Sequence, residues 1–305
     1  MDTHKKQQRL KSVHRRAFMA DSIKLAGLAA LGLSSSPLLS ASMQNITQHT
    51  QGATMQLTPT AQQNFNQLFG NIDNELSQSD PEFFSNYVNF AFDEVIAESA
   101  LNLRERLMII IAALVAIPAL GEFQNILRAA LKNGVKPKAI KEILYQATPY
   151  VGMGKSLDFI QSCNAIFKEE GINLPLKPQG TTTRTNRFEK GLETQRRLFG
   201  AAIDKGNANA PKDYQHIRRF LSSNCFGDYY TRGGLDLPFR ELLTFVYILA
   251  MGGAESQLKG HIQGNLNIGN DRAKLIAVVT ALVPYIGYPR SLNALNAIDE
   301  VMGVK

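Results

Sequence analysis

Apolar residues recur every three or four positions through most of this chain, and no stretch sustains a period-two alternation of β-branched residues. The pattern predicts an all-α protein. Thr58-Pro59 offers an N-cap followed by proline at the first helical position, opening a short helix to about Phe69. Phe84, Val88, Phe92 and Val95 mark a helix over 81–98, and further helices are expected over 103–115, 122–132, 138–148 and 156–168. Gly134 ends the third of these, and Pro149-Tyr150-Val151-Gly152 breaks the chain before the last. A second series is expected over 187–204, 212–230, 238–251, 255–268 and 272–283. Gly252-Gly253 forms a turn within it, Gly269 suits a helix C-terminus, and Asp271 suits an N-cap.

The second series copies the first. Pro149-Tyr150-Val151-Gly152 and Ser156-Leu157 return as Pro284-Tyr285-Ile286-Gly287 and Ser291-Leu292, 135 residues later. Upstream, Leu101-Asn102-Leu103 matches Leu235-Asp236-Leu237, and Leu68-Phe69-Gly70 matches Leu198-Phe199-Gly200. Near-constant offsets over such a length mean two copies of one folding unit. The expected organisation is a first repeat over 58–170, a linker over 171–186 rich in Pro, Gly and Thr, and a second repeat over 187–305.

The formal charge of +7 changes this picture little. Residues 1–42 hold seven Lys/Arg against two Asp, which leaves 26 basic and 24 acidic residues in the rest. So balanced a remainder gives no nucleic-acid footprint. Residues 1–42 read as an export signal of twin-arginine type. Arg15-Arg16 precede Phe18, and the apolar stretch 25–33 is too short to span a bilayer. Ser40 and Ser42 suit a signal-peptidase site before Met43. The expected location is periplasmic or otherwise exported, without a membrane span after cleavage, and 43–57 reads as a flexible arm. Cys163 and Cys225 fall at non-equivalent repeat positions, and buried free thiols are preferred to a bridge.

The copies differ where chemistry would sit. Helices joined at Gly252-Gly253 should run antiparallel. Glu241 lies 11 residues before Gly252 and His261 eight after Gly253. At a rise of about 1.5 Å per residue, their heights along the hairpin differ by only about 4.5 Å. A carboxylate and an imidazole could therefore meet across it, making a proton carrier near neutral pH. The bland alternative is a packing histidine and a helix-start glutamate. In the first copy Leu107 holds the Glu position and Ile126 the His position, so that repeat reads as structural. Among the other histidines, only His216 lies within the repeats, so no convincing metal site is expected.

Phe226-Gly227-Asp228, Arg232, Leu235-Asp236, Arg240-Glu241-Leu242, His261, Gly269 and Tyr285-x-Gly287 together resemble the carboxymuconolactone decarboxylase family, which includes the alkylhydroperoxidase D-like proteins. The resemblance is strong over about 226–301 and weaker over about 92–167. It implies two tandem alkylhydroperoxidase D-like helical domains and a homo-oligomer built on threefold axes, most simply a trimer. Peroxidase members carry Cys-x-x-Cys seven and four residues before the histidine. Here those positions are Ala254 and Gln257, so a thiol peroxidase is disfavoured. The decarboxylase branch implies cofactor-free acid–base chemistry on a small anionic, carboxylated cyclic or unsaturated substrate. In that reading His261 donates the proton, Glu241 tunes it, and Arg232, Arg240 and Arg290 are the available substrate-binding cations. Arg240 and Arg290 have cationic partners in Arg106 and Lys155 of the first copy and serve equally well as structural ion-pair formers, whereas Arg232 faces Glu98, a charge reversal that makes it the more site-specific candidate. Tyr285, recurring as Tyr150, reads as a packing residue. A non-catalytic oligomeric scaffold or binding protein of the same fold is the alternative from another class.

Overall fold

The computed structural model describes residues 56–71 and 74–304. Residues 1–42 and most of the arm fall outside them. All regular structure among the described residues is helical.

The first repeat opens with α1 (Pro59–Phe69), where the Thr58 hydroxyl accepts from Ala61 N–H as an N-cap. A short helix α2 (Glu75–Ser79), opened by an Asn74–Ser77 capping box, was not foreseen from periodicity. Next come α3 (Pro81–Asn89), a π-helical turn (Phe90–Glu94) and α4 (Val95–Glu98). The repeat is completed by α5 (Leu103–Ala116), α6 (Leu120–Lys132), α7 (Pro137–Val151) and α8 (Met153–Glu169). The second repeat has α9 (Arg187–Phe199), α10 (Ala202–Ala208), α11 (Gln215–Phe220) and a π-helical segment (Leu221–Tyr230). It ends with α12 (Leu237–Met251), α13 (Glu255–Asn267), α14 (Arg272–Ile286) and α15 (Tyr288–Met302).

Five places differ from expectation. The helix expected over 187–204 stops at Phe199 because Gly200 takes φ +64°, and α10 follows as a separate helix. The Pro149 and Pro284 breaks come later than expected. Both prolines lie inside α7 and α14, and the chain turns instead at Gly152 (φ +85°) and Gly287 (φ +79°). A proline in the last turn forfeits a single hydrogen bond, a smaller loss than in a helix centre. The helix expected over 81–98 is interrupted by its π turn, and the helix expected over 212–230 widens to π geometry at the equivalent place. Widened turns of this kind re-aim side chains and concentrate at functional sites.

The two copies embrace reciprocally. Helix α5 packs on α12 and α14, while α12 packs on α5 and α7, the arrangement an internal pseudo-twofold produces. One apolar core therefore runs through both repeats, from Ala61 to Ile298. A smaller cluster of Leu198, Cys225, Phe226 and Tyr230 sits apart from it. It forms where α9 meets the π segment so closely that only glycine fits. An ideal Cβ on Gly191 would lie 1.8 Å from the Ser222 carbonyl oxygen, and one on Gly227 would lie 2.1 Å from that of Arg187. Among the described residues, no helix is long and apolar enough to cross a membrane.

Candidate functional site

The α12–α13 hairpin brings Glu241 and His261 together. His261 Nδ1 lies 2.7 Å from Glu241 Oε1. The glutamate side chain has no exposed surface, whereas that of His261 keeps 14%. The backbone geometry is fixed by Asn265, whose amide donates to the carbonyls of both Glu241 (3.1 Å) and His261 (2.7 Å). Gly264 makes room for the carboxylate, since a Cβ there would stand 2.4 Å from Glu241 Oε1.

The second carboxylate oxygen accepts from the Tyr230 hydroxyl at 2.7 Å. Tyr230 comes from the π segment and also bonds the Thr244 hydroxyl, one turn along α12 from Glu241. Tyr150, from the first repeat, donates to the Tyr230 oxygen (3.3 Å), and the Cys225 thiol in turn donates to Tyr150 (3.5 Å). Gln146, also from the first repeat, donates to Thr244 (3.2 Å). A line of donors thus ends on Glu241, which suits an ionised carboxylate holding Nδ1–H of His261. The imidazole is wedged edge-on between Phe199 (5.4 Å between centroids) and Tyr150 (6.0 Å). Its Nε2 makes no hydrogen bond among the described residues.

Burial, with the nearby carboxylate adding to it, raises the Tyr230 hydroxyl well above the usual tyrosine value. Tyr150 is raised too, by burial first and then by Cys225 and Glu241. Both stay neutral donors. Burial pushes the Cys225 thiol up to about 12, and the Cys163 thiol up to about 12 as well. Both cysteines are free and buried. A thiol so raised is a weak nucleophile.

The three arginines do not converge on His261. Arg240 precedes Glu241, so on a helix their side chains diverge by about 100°. Its guanidinium, 1% exposed, bonds Glu142 (3.0 Å), Gln146 (2.8 Å) and the carbonyls of Arg232 and Gly233. Arg232 binds the same Glu142 through two nitrogens, the nearest at 2.9 Å. Arg290 is exposed beside the Gly252-Gly253 turn, where it lines a small recess with Ala254 and Leu258. Leu258 lies one turn before His261 on α13, and Ala254 is the residue that precedes the helix. Among the described residues, Arg290 forms no ion pair.

Sequence reasoning missed Tyr230, Thr244, Gln146 and Tyr150. Tyr150, read as packing, contributes its hydroxyl to the network. The signal that could have found it was its place at the repeated helix break. By the internal symmetry, Tyr285 holds the same position in the other copy, where Leu107, Ile110 and Ile126 replace Glu241, Thr244 and His261 and leave an apolar interior. There the Tyr285 hydroxyl meets Tyr87, which also donates to Glu122 (3.3 Å). Among the described residues, no three His, Cys, Asp or Glu side chains are placed to hold a metal ion.

The profile of the carboxymuconolactone decarboxylase family matches residues 81–161 and 216–300, one segment in each repeat. A 4-carboxymuconolactone decarboxylase from Acinetobacter baylyi is 28% identical over 116 residues, covering 38% of this chain and 86% of that protein. A crystal structure from Burkholderia xenovorans LB400, provisionally assigned as a gamma-carboxymuconolactone decarboxylase subunit, aligns over 80% of this chain and 97% of its own. The identity is 17% and the TM-score 0.46. With its family profile matched in both copies and over more than half of its length, the chain belongs to the carboxymuconolactone decarboxylase family.

Proposed function

We propose that this protein performs cofactor-free acid–base chemistry, decarboxylation or a related lyase reaction, on a small carboxylated cyclic or unsaturated acid. The observation that carries the reading is the 2.7 Å contact between His261 Nδ1 and a fully buried Glu241. A histidine so held presents Nε2 to a substrate in a fixed orientation. In the proposed reaction the bond from ring carbon to carboxylate breaks and carbon dioxide leaves. The electron pair passes into the conjugated system as an enolate. The His261 imidazolium then gives the proton on Nε2 to carbon, becoming a neutral imidazole, and a proton taken up from solvent restores it, while Glu241 holds the Nδ1–H side of the ring in both states.

Such a substrate is anionic and needs a cation. Arg232 and Arg240 share Glu142 and sit away from His261, so Arg290 is the candidate we favour. Its exposed side chain lines the recess at the Gly252-Gly253 turn, beside the start of α13, and forms no ion pair among the described residues. The test is to incubate the protein with 4-carboxymuconolactone, the compound for which the Acinetobacter relative is named, and with related unsaturated lactone acids, following carbon dioxide release. Turnover that falls by about 10²–10⁴ in His261→Gln supports the proposal. Absence of turnover across the series would favour the scaffold reading.

Export is part of the proposal. It rests on Arg15-Arg16, the apolar stretch and the small residues before Met43. Replacing both arginines by lysine should hold the precursor inside the cell, and unchanged export would remove the twin-arginine assignment.

A further inference from the structure

A cleft of about 610 Å³ opens on the first repeat, roofed by the chain that joins the two copies. Neither Glu241 nor His261 lines it. Its charged lining is Lys138, Lys141, Lys177 and Arg232 against a single carboxylate, Glu142. That carboxylate is already shared between Arg232 and the buried Arg240 just behind it. Four cations therefore line the cleft, with Arg240 behind it, against one anion that two of the five already share.

Lys141 makes the imbalance acute. The residue is only 5% exposed, and its ammonium donates to the neutral Asn164 amide oxygen at 2.5 Å. It faces the rings of Tyr145 (5.6 Å) and Phe167 (5.9 Å). Its sulfur neighbour, Cys163, is a neutral thiol. Among the described residues no carboxylate pairs with it. A buried ammonium without a counter-ion is costly, and burial accordingly lowers its pKa.

The fold itself does not require this charge. By the repeat offset, Ile276, Ala277 and Thr280 stand where Lys141, Glu142 and Tyr145 do, and Glu98 stands where Arg232 does. The cleft also has a defined wall. Gly233 N–H donates to the Gln179 carbonyl (2.9 Å), tying the roof to the loop that carries Arg232. Arg232 lies over the Tyr145 ring at 5.2 Å. Ile160 and Leu176 add apolar surface.

We infer that this cleft is a second ligand site, separate from the Glu241–His261 pair, for a small polyanion bearing two or more carboxylate or phosphate groups. Lys141 supplies the buried contact, while Lys138, Lys177 and Arg232 supply the rim. Calorimetric titration of the full protein with citrate and with inorganic pyrophosphate at neutral pH tests it. One or both should bind one per chain, the tighter of the two identifying the anionic group, and acetate should bind far more weakly. Lys141→Met, which removes a buried unpaired charge and so should fold, is expected to weaken that binding by at least about tenfold. Lys138→Gln, on the exposed rim, should weaken it less, and His261→Gln should leave it unchanged. Failure of both anions to bind overturns the inference, as does binding in Lys141→Met and Lys138→Gln equal to that of the unaltered protein.

Discussion

At the scale of the residue, the buried carboxyl groups define the chemistry. Glu241 is matched by two donors, His261 and Tyr230. Replacing His261 by alanine therefore does more than remove a proton carrier. It strips one donor from a fully buried carboxylate, which costs about 1–3 kcal/mol. His261→Gln retains a donor and should melt within a few degrees of the unaltered protein while losing turnover. Comparing the two variants by melting temperature separates the structural share of this contact from the chemical one. Glu122 gives a contrasting case. Burial raises its pKa above the ordinary value near 4.5, outweighing the hydrogen bonds from Asn125 and Tyr87. An acid raised on folding binds more protons folded than unfolded. Its contribution is therefore most favourable below about pH 4.5 and declines as the pH climbs through the raised folded value. Glu122→Gln should be relatively more stable than the unaltered protein at neutral pH, with the advantage shrinking in acid. Melting curves at both pH values decide this, and a pH-independent difference would show that Glu122 ionises as in water.

At the scale of the element, the site depends on how near α13 can approach α12. Gly264 is where they meet, since a Cβ there would crowd both Glu241 Oε1 at 2.4 Å and Phe199 Cε1 at 2.7 Å. Gly264→Ala should cost about 1–3 kcal/mol as an overpacked contact and should displace the carboxylate from His261. Gly260, on the same helix, has nothing within 4 Å of its would-be Cβ. Gly260→Ala should therefore stabilise by about 0.5–1 kcal/mol through helix propensity. Opposite signs for two identical substitutions four residues apart would establish the close approach, and equal effects would refute it. The same hairpin marks what could be read in advance. The Gly252-Gly253 turn and a rise per residue were enough to place Glu241 opposite His261, because both lie on one local unit. Spacing could not reveal Tyr230, which reaches Glu241 from the end of the π segment before α12. Nor could it reveal Tyr150, which arrives from the other repeat. The arginines show the same limit. Their charge was legible, but the partner that claims two of them, Glu142, is about ninety residues away and became visible only in the packed structure.

At the scale of the whole molecule, the internal symmetry explains why the first repeat persists without the Glu–His pair. It supplies Tyr150 and Gln146 to the second repeat's site and Glu142 to its two arginines. Glu142→Ala should cost about 3–5 kcal/mol, since it leaves the buried Arg240 charge unpaired. Chemical denaturation would measure that loss. A value below 1 kcal/mol would mean that the pair does not bind the repeats together. The symmetry also repeats on the outside. Met153 and Leu157 at the start of α8 are 57% and 43% exposed, and their counterparts Tyr288 and Leu292 on α15 are 61% and 55% exposed. Phe83 and its counterpart Ile217 are likewise exposed, at 62% and 53%. Large apolar side chains left in water at equivalent places in both copies are what an assembly of this chain with itself requires, because each repeat can then offer the same face to a neighbour. The proposed assembly is a trimer of two-repeat chains. Light scattering at micromolar concentration should give three times the chain mass. The double variant Tyr288→Lys, Leu292→Glu should reduce it to the single-chain mass without lowering helical content, since both side chains already face solvent. A protein that is monomeric without these substitutions would remove the trimer and leave the exposed residues to another partner.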